Sequence, residues 1–324
     1  MTRRKKPASV LVTYPGRRWR RSRRNALRRV WRLPVLVFYL FLAFPLAIWT
    51  CARKSEPDAV SYRAFAWWSR QALRIFGIHL RVDGFVPKSP VLVAANHVSY
   101  LDILALATLV PGRFVAKKEM RAWPFFGIMG EWLGTLFIDR SDARASQRTV
   151  RQASEILATG TSIILFPEGT TSDGKRVGSF FAAPFEIASG AVASTIPVAL
   201  RYEDVLRPGQ PDPLCPFIGE DSLFGHLWRL AAAAPLTLRV EFLPALAPEL
   251  GRRNLAAMAQ MAIADALQRM EQGASVTYLH DARRHLIRDA WAAWRHGHEG
   301  WVRLAASYGR SPPGWRRCRW GFAG

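Results

Sequence analysis

The sequence predicts an α/β domain, in which a layered sheet is flanked by helices. Between residues 81 and 275, short apolar runs alternate with segments of helical periodicity, which is typical of this class. Residues 56–282 carry 22 basic and 22 acidic side chains, whereas residues 1–55 carry 15 Lys and Arg and no acidic residue. The net charge of +22 therefore lies at the two ends of the chain. A neutral body with cationic ends indicates a folded module whose ends contact an anionic partner.

The predicted elements follow one another at short spacing. Apolar runs bounded by turn residues predict the strands, and residues repeating every three or four positions predict the helices. In order, they are a strand at 91–96, a helix at 101–110, a strand at 113–117, a helix near 123–133, a strand at 134–140, a helix at 143–159 capped by Asp142, strands at 162–167, 194–200 and 236–243, and an amphipathic helix at 252–272. Residues 203–235 are rich in proline and predict an irregular surface excursion.

The segment before this body is apolar. Residues 33–52 contain no charge over 20 residues, close to the minimum for a bilayer span. Residues 62–80 carry an apolar helical stripe that Arg63, Arg70 and Arg74 interrupt, which favours an interfacial helix. A single span would place the body outside the cytoplasm by the positive-inside rule. A leaflet-embedded helical pair over residues 33–80 would keep the body inside.

A polar cluster follows the first predicted strand of the body. It reads Asn-His-Val-Ser-Tyr-Leu-Asp over residues 96–102, at the point where a strand gives way to a helix. His97 is a natural general base near neutral pH, and Asp102 can orient its imidazole. No G-x-S-x-G nucleophile motif accompanies the pair. The predicted chemistry is deprotonation of a hydroxyl by His97 and direct attack on an activated acyl carbon, although the same spacing is also typical of a histidine that caps a helix.

Three further blocks accompany this cluster in a fixed order: GTLFIDR at 134–140, FPEGTTS at 166–172 and IPV at 196–198. Together the four blocks resemble the glycerolipid acyltransferases related to bacterial 1-acyl-glycerol-3-phosphate acyltransferase. The resemblance covers roughly residues 80–205. It implies a mixed sheet flanked by helices, with His97 as catalytic base and Asp102 as its orienting carboxylate.

The resemblance also implies a set of substrate-binding residues. Arg140 matches the acceptor block, where a guanidinium suits contact with a phosphate or carboxylate. Loop amides of the third block would hold the acceptor or the thioester oxyanion. The implied substrate-binding residues are Gly134, Arg140, Glu168, Gly169 and Thr170. No metal or cofactor is implied; the acyl group would come from acyl-CoA or acyl carrier protein as co-substrate.

The implied reaction is transfer of a fatty acyl group to a lysophospholipid hydroxyl by a membrane-bound O-acyltransferase. The first acceptor implied is 1-acyl-glycerol-3-phosphate, which would give phosphatidic acid. Thr171 stands where many such members have Arg, and Phe181 stands where they commonly have Lys. This form is similar to members that acylate lyso-ornithine lipid, which is the alternative acceptor. Lys117 and Lys118 are candidates for the missing charge.

The implied chemistry decides the expected topology, because both donors are cytosolic and three dispersed cysteines suit a reducing compartment. We expect the inner membrane as the location, with the catalytic domain facing the cytoplasm and anionic lipids as partners. The expected segments are a basic arm at 1–32, an embedded or interfacial helical segment at 33–80, the acyltransferase domain at 81–275 and a basic amphipathic arm at 276–324.

Two functions of other classes fit part of the pattern. The high positive charge is compatible with a nucleic-acid-binding protein. The neutral body and the lack of an RRM, KH, zinc-finger or helix-turn-helix pattern argue against it, so no nucleic-acid partner is expected. A catalytically silent membrane scaffold is the other alternative, and the intact His97 and Asp102 argue against that one.

Overall fold

A computed structural model of the chain describes residues 23–39, 57, 59–123, 126–204, 207–219, 221–233 and 235–272. The helices within them are α1 (Arg23–Phe38), α2 (Ala59–Phe76), α3 (Leu101–Leu109), α4 (Phe126–Trp132), α5 (Ala143–Ala158), α6 (Glu186–Ala191), α7 (Leu223–Ala232) and α8 (Gly251–Glu271). The strands are β1 (Ile78–Gly84), β2 (Leu92–Ala95), β3 (Gly112–Lys117), β4 (Leu136–Ile138), β5 (Ser162–Leu165), β6 (Thr195–Asp204), β7 (Arg207–Pro211) and β8 (Leu236–Phe242).

These strands form one mixed sheet in the order β1-β8-β6-β2-β5-β3-β4, with β7 paired to the far end of β6. Strands β6, β2, β5, β3 and β4 run parallel to one another. The antiparallel pairs are β8 with β6 and β7 with β6, while β1 is parallel to β8. The mixed sheet that the resemblance implied is confirmed.

The sheet separates two apolar cores, and strand alternation assigns residues to them. On β2, Val93 and Ala95 belong to the core beneath α2, α3 and α7, whereas Leu92 and Ala94 belong to the core beneath α5, α6 and α8. All four side chains are fully buried. A strand covered on both faces reads as a continuous apolar run, which explains the pattern at residues 91–95.

The predicted strands and helices of the body are confirmed, including the cap of α5. The Asp142 carboxylate accepts the backbone N–H groups of Arg144 at 2.8 Å and Ala145 at 3.1 Å. Two predictions are wrong. Residues 78–80 belong to β1 rather than to a helix, because they pair in register with β8. Residues 203–235 are not wholly irregular, because they contain β7 and α7.

The N-terminal helix differs from the predicted segmentation. Helix α1 crosses the boundary drawn between residues 32 and 33, and the Arg32 guanidinium is buried where it donates to the carbonyl of Ala233 at 2.8 Å. Within the part of the chain that the structure describes, no helix is both long enough and apolar enough to cross a membrane. Residues 40–56, which hold most of the apolar run, and the predicted arm at 276–324 lie outside the described residues.

Candidate active site

The site begins where β2 ends. Asn96 follows the last residue of β2, and its buried amide continues the ladder to β6 in place of a backbone group. The side-chain Nδ2 donates to the carbonyl of Leu200 at 3.0 Å, and the Leu200 N–H donates to Oδ1 at 2.8 Å. This two-point contact holds the chain at the sheet edge while it turns toward α3.

The turn brings His97 and Asp102 together as the spacing predicted. His97 Nδ1 lies 2.9 Å from Asp102 Oδ2, and the carboxylate also accepts the N–H groups of Val98 at 2.7 Å and Ser99 at 2.9 Å. The Asp102 side chain has no exposed surface, while that of His97 is 16% exposed. A carboxylate with these donors accepts a hydrogen bond from Nδ1–H, which leaves the lone pair of the neutral imidazole on Nε2. Nε2 is therefore the nitrogen that can take a proton from a hydroxyl.

The imidazole is held in place by more than the carboxylate. It stacks on the ring of Phe166, with centroids 3.9 Å apart and 15° between the planes. The His97 carbonyl accepts the N–H of Ser172 at 2.8 Å. Both partners come from the block after β5, so the two strand ends that carry the first and third motifs support the same histidine.

Glu168 lies behind this loop. One carboxylate oxygen accepts the N–H of His97 and the other accepts the N–H of Gly178, each at 2.8 Å. The residue is buried, and burial raises the pKa of its carboxyl, an effect that the two backbone hydrogen bonds partly oppose. In this geometry Glu168 fixes the backbone at the base. The contact with an acceptor hydroxyl, which the resemblance implied, stays a prediction.

Arg140 follows β4 and lies beside the third motif. Its Nη1 donates to the carbonyl of Gly169 at 3.3 Å, and its guanidinium carbon lies 5.2 Å from the centroid of the Phe181 ring. Burial lowers the pKa of the guanidinium. Gly169 has a positive φ of 71°, and a β-carbon there would collide with the Arg140 guanidinium. The backbone conformation therefore favours glycine, and any larger residue would also displace the Arg140 guanidinium from its present position.

The other two predicted substrate-binding residues lie differently. Gly134 has a φ of 65° and ends α4, where its N–H donates to the carbonyl of Glu131 at 3.1 Å. A β-carbon at this position would touch the Arg113 side chain, so the contacts found for Gly134 are those of a turn leading into β4. Thr170 is exposed on the loop that follows Gly169.

Sequence reasoning missed three hydrogen bonds of the site. The Tyr202 hydroxyl, on β6, donates to Asp102 Oδ1 at 2.6 Å. The Thr171 hydroxyl donates to the carbonyl of Phe217, and the Phe217 N–H donates to the carbonyl of Val98 at 3.0 Å. The alternation of residues along the strand predicts that Tyr202 lies on the same face as Leu200. It does not predict that the tyrosine hydroxyl contacts a carboxylate.

A surface cavity of about 870 Å³ includes Arg140 in its lining. One side is the face of α5 that includes Val150 and Ala158, and the other includes Phe181 and Pro184. Its lining is mostly apolar and includes Arg140, but it does not include His97. The cavity can take part of a long apolar ligand whose polar end meets the guanidinium.

In the residues described, no group of three or more His, Cys, Asp or Glu side chains is placed to hold a metal ion. The chemistry that the arrangement supports is that of a histidine base with a buried carboxylate partner, with the Arg140 guanidinium beside the third motif.

Comparison with known proteins identifies a family model and several similar proteins. A family model described as Acyltransferase matches residues 78–201. A lyso-ornithine lipid O-acyltransferase from Pseudomonas aeruginosa is 36% identical over 247 residues, which are 74% of this chain and 94% of that protein. A 1-acyl-sn-glycerol-3-phosphate acyltransferase from Neisseria meningitidis serogroup B is 39% identical over 190 residues, which are 56% of this chain and 70% of that protein.

The fold also has a counterpart among solved structures. The crystal structure of the 1-acyl-sn-glycerophosphate (LPA) acyltransferase, PlsC, from Thermotoga maritima matches with a TM-score of 0.56 at 19% identity. The match covers 78% of this chain and 98% of that one. At this identity the likeness concerns the fold.

Proposed function

The chain belongs to the Acyltransferase family, and we propose that it transfers a fatty acyl group from an acyl thioester to the free hydroxyl of a lysolipid. The observation that carries this proposal is the contact of 2.9 Å between His97 and the fully buried Asp102. This pair supplies a general base, and no covalent enzyme intermediate is needed. The thioester is acyl-CoA or acyl carrier protein, which serves as co-substrate.

The reaction follows from the geometry of the pair. His97 Nε2 takes the proton of the acceptor hydroxyl while the oxygen forms a bond to the thioester carbonyl carbon. Asp102 stabilises the imidazolium that results, because it holds Nδ1–H in a buried hydrogen bond. The tetrahedral intermediate then collapses with cleavage of the carbon–sulfur bond, and the thiolate that leaves takes the proton from the imidazolium. The products are an ester and a free thiol.

The surroundings of Arg140 favour lyso-ornithine lipid as acceptor. An arginine binds the single charge of a carboxylate with both arms, whereas a phosphate monoester carries up to two negative charges and calls for further cations. Phe181 covers the Arg140 guanidinium, and Thr171 donates to the Phe217 carbonyl. Lys118 was a candidate for the missing charge, but its ammonium is paired with Asp139 at 2.6 Å. The ornithine carboxylate matches this arrangement better than a phosphate does.

The second candidate acceptor is 1-acyl-glycerol-3-phosphate. It is favoured by the Neisseria meningitidis relative, whose name states this acceptor and which is 39% identical over 190 residues. Both candidates present a free hydroxyl next to an anionic group, so His97 and Asp102 would act identically on them. They differ in the charge that Arg140 must bind.

Exposed apolar side chains support attachment to a membrane. Helix α1 presents one apolar stripe to solvent, while its opposite face packs on the body through Arg32 and Leu36. The stripe and its neighbours on α2 and α7 comprise Leu27, Val30, Trp31, Val35, Phe38, Trp67, Phe224 and Trp228, each between 42% and 84% exposed. Aromatic side chains beside arginines are typical of helices that lie in the interface of an anionic bilayer.

The cytoplasmic face of the inner membrane is the proposed location. Acyl-CoA and acyl carrier protein are cytosolic, so the base must face that side. Reporter fusions placed after residue 60 and at the C-terminus should both report cytoplasm. A periplasmic signal from either fusion would contradict this topology.

Product formation tests the proposal directly. The purified chain is supplied with a labelled acyl thioester and, in separate reactions, with lyso-ornithine lipid or 1-acyl-glycerol-3-phosphate in mixed micelles. We expect labelled ester from both acceptors, with the larger kcat/KM for lyso-ornithine lipid. A larger kcat/KM for the phosphate acceptor would reverse the order of the candidates, and no ester from either would overturn the proposed reaction.

A further inference from the structure

The two oxygens of Asp102 have different partners. Oδ2 accepts hydrogen bonds from His97 Nδ1–H and from two backbone N–H groups of the same turn. Oδ1 receives the hydroxyl of Tyr202 at 2.6 Å, from a strand 100 residues further along the chain. The carboxylate is therefore held from its own loop on one oxygen and from the sheet on the other.

The position of Tyr202 is set by the register of the sheet. Leu200, two residues earlier on β6, is the residue that the Asn96 amide clamps. Successive residues of a strand alternate between faces, so Tyr202 points to the same face as Leu200, toward α3. Its side chain is 2% exposed and lies in the core that also contains Val98 and Leu101. The contact therefore depends on β2 and β6 being paired in their observed register.

The phenol has the protonation state that a donor needs. Burial raises the pKa of Tyr202 well above its ordinary value, and the nearby charge of Asp102 raises it further. The hydroxyl thus remains protonated and donates to the carboxylate. The titratable groups that interact with Asp102 are His97 and Glu168, from the loops after β2 and β5, Tyr202, from β6, and Cys215, from the loop before α7.

We propose that Tyr202 is a positioning residue for the acyl transfer, which acts on His97 through Asp102. It fixes the rotation of the carboxylate so that Oδ2 faces His97 Nδ1, and it takes up part of the negative charge. It does not touch either substrate. This inference rests on the proposed function, because it concerns the same base.

Removal of the hydroxyl has a defined consequence. Without its donor, Oδ1 of Asp102 is a buried oxygen with one hydrogen bond fewer, which favours the protonated form of the His97–Asp102 pair. The base is then available only at higher pH. The acid limb of the pH profile of kcat should move upward, by about one pH unit for the loss of one hydrogen bond to a charged group.

Tyr202→Phe tests the inference, since it removes only the hydroxyl. We expect kcat at neutral pH to fall about tenfold, with the KM of both substrates unchanged and the acid limb shifted upward. Tyr100→Phe is the matched control, because it removes a buried hydroxyl that lies 3.0 Å from His226 Nδ1. The control should lower the unfolding midpoint without moving the acid limb.

An unchanged acid limb in Tyr202→Phe would overturn the inference, as would an equal shift in Tyr100→Phe. If Tyr202→Phe does not give a folded protein by circular dichroism, 3-fluorotyrosine at position 202 replaces it. The fluorinated phenol is a stronger donor, so the acid limb should then move to lower pH, and an unmoved limb would overturn the inference. A wild-type protein without acyl transfer to either lysolipid would instead contradict the proposed function.

Discussion

The buried carboxylate of Glu168 accepts the backbone N–H of His97 at 2.8 Å, across 71 residues of sequence. Its second oxygen accepts the N–H of Gly178 at the same distance. Glu168, from the third motif, thus holds the backbone of His97, from the first motif. This contact makes the third motif part of the support for the base. Kinetics can distinguish this supporting role of Glu168 from a role in binding the acceptor hydroxyl.

Glu168→Gln should lower kcat more than it raises the acceptor KM. Glutamine has one acceptor oxygen, so its NH₂ group must face one of the two N–H donors, and the bridge between the backbone of His97 and that of Gly178 is broken at one end. We expect kcat to fall roughly 10- to 100-fold, as for a misplaced base. Steady-state kinetics with varied acceptor measure both constants. A rise in acceptor KM at unchanged kcat would instead place Glu168 on the acceptor hydroxyl.

The same residue should affect stability as a function of pH. Burial raises the pKa of Glu168, so the folded state holds this proton more tightly than the unfolded chain does. The contribution favours folding below the unfolded pKa, and it is lost as the pH rises through the folded pKa. Urea unfolding from pH 4 to 7 should therefore show a loss with rising pH that Glu168→Gln lacks. Equal slopes in both proteins would contradict this assignment.

His97→Ala should remove nearly all turnover while the fold persists. A positioned base contributes about 10²–10⁴-fold, so its loss should leave only a small residual rate. Asp102→Asn should be severely impaired too, because the amide can donate to Nδ1 and turn the imidazole to the wrong tautomer. Ester formation measures turnover, and circular dichroism serves as the control for folding. Near-normal rates in His97→Ala would end the proposed mechanism.

Arg140→Ala should raise the KM of the acceptor more than that of the thioester. The guanidinium is held by the Gly169 carbonyl and the Phe181 ring, which leaves its remaining donors for an anionic head group. Arg140→Lys should restore the charge without the planar two-point contact and recover only part of the affinity. Kinetics with each substrate varied in turn check this. A change confined to the thioester KM would mean that the two substrates are assigned to the wrong sides.

Replacement of exposed aromatic residues should weaken binding to vesicles. Trp31→Ser with Phe38→Ser removes two large side chains from the stripe on α1, at 50% and 65% exposure. Burial of one such side chain in a bilayer contributes about 1.5–3 kcal/mol, so binding should fall at least about tenfold. Co-sedimentation with anionic vesicles measures it. Met261→Ser on α8 is the control, because that residue is 60% exposed on the opposite side of the sheet. Equal binding by the aromatic variant and the control would contradict the proposal that this apolar surface binds the membrane.

Local patterns were sufficient for the body of the fold and for the base. The apolar runs at 91–96 and 162–167 predict strands because both faces of those strands are covered. His97 contacts Asp102 because both residues lie in one turn of chain. The α/β class, the order of elements and the catalytic pair could therefore be predicted from sequence. Arg140 and Glu168 were identified through the motifs that contain them. The order of these motifs along the chain can also be read from the sequence.

Other contacts became visible only in the folded chain. Tyr202 meets Asp102 because the register of β2 and β6 aligns residues 100 positions apart, and a one-residue slip would turn the tyrosine to the other face. The helical pattern of residues 62–80 runs on into the first residues of β1. These residues nevertheless form a strand, because β8 supplies their hydrogen bonds. Sequence alone determined which groups of this protein can do chemistry, since those signals are local. Tertiary structure decided which backbone and side-chain groups hold them in place, since hydrogen bonds between distant segments depend on how the strands pair.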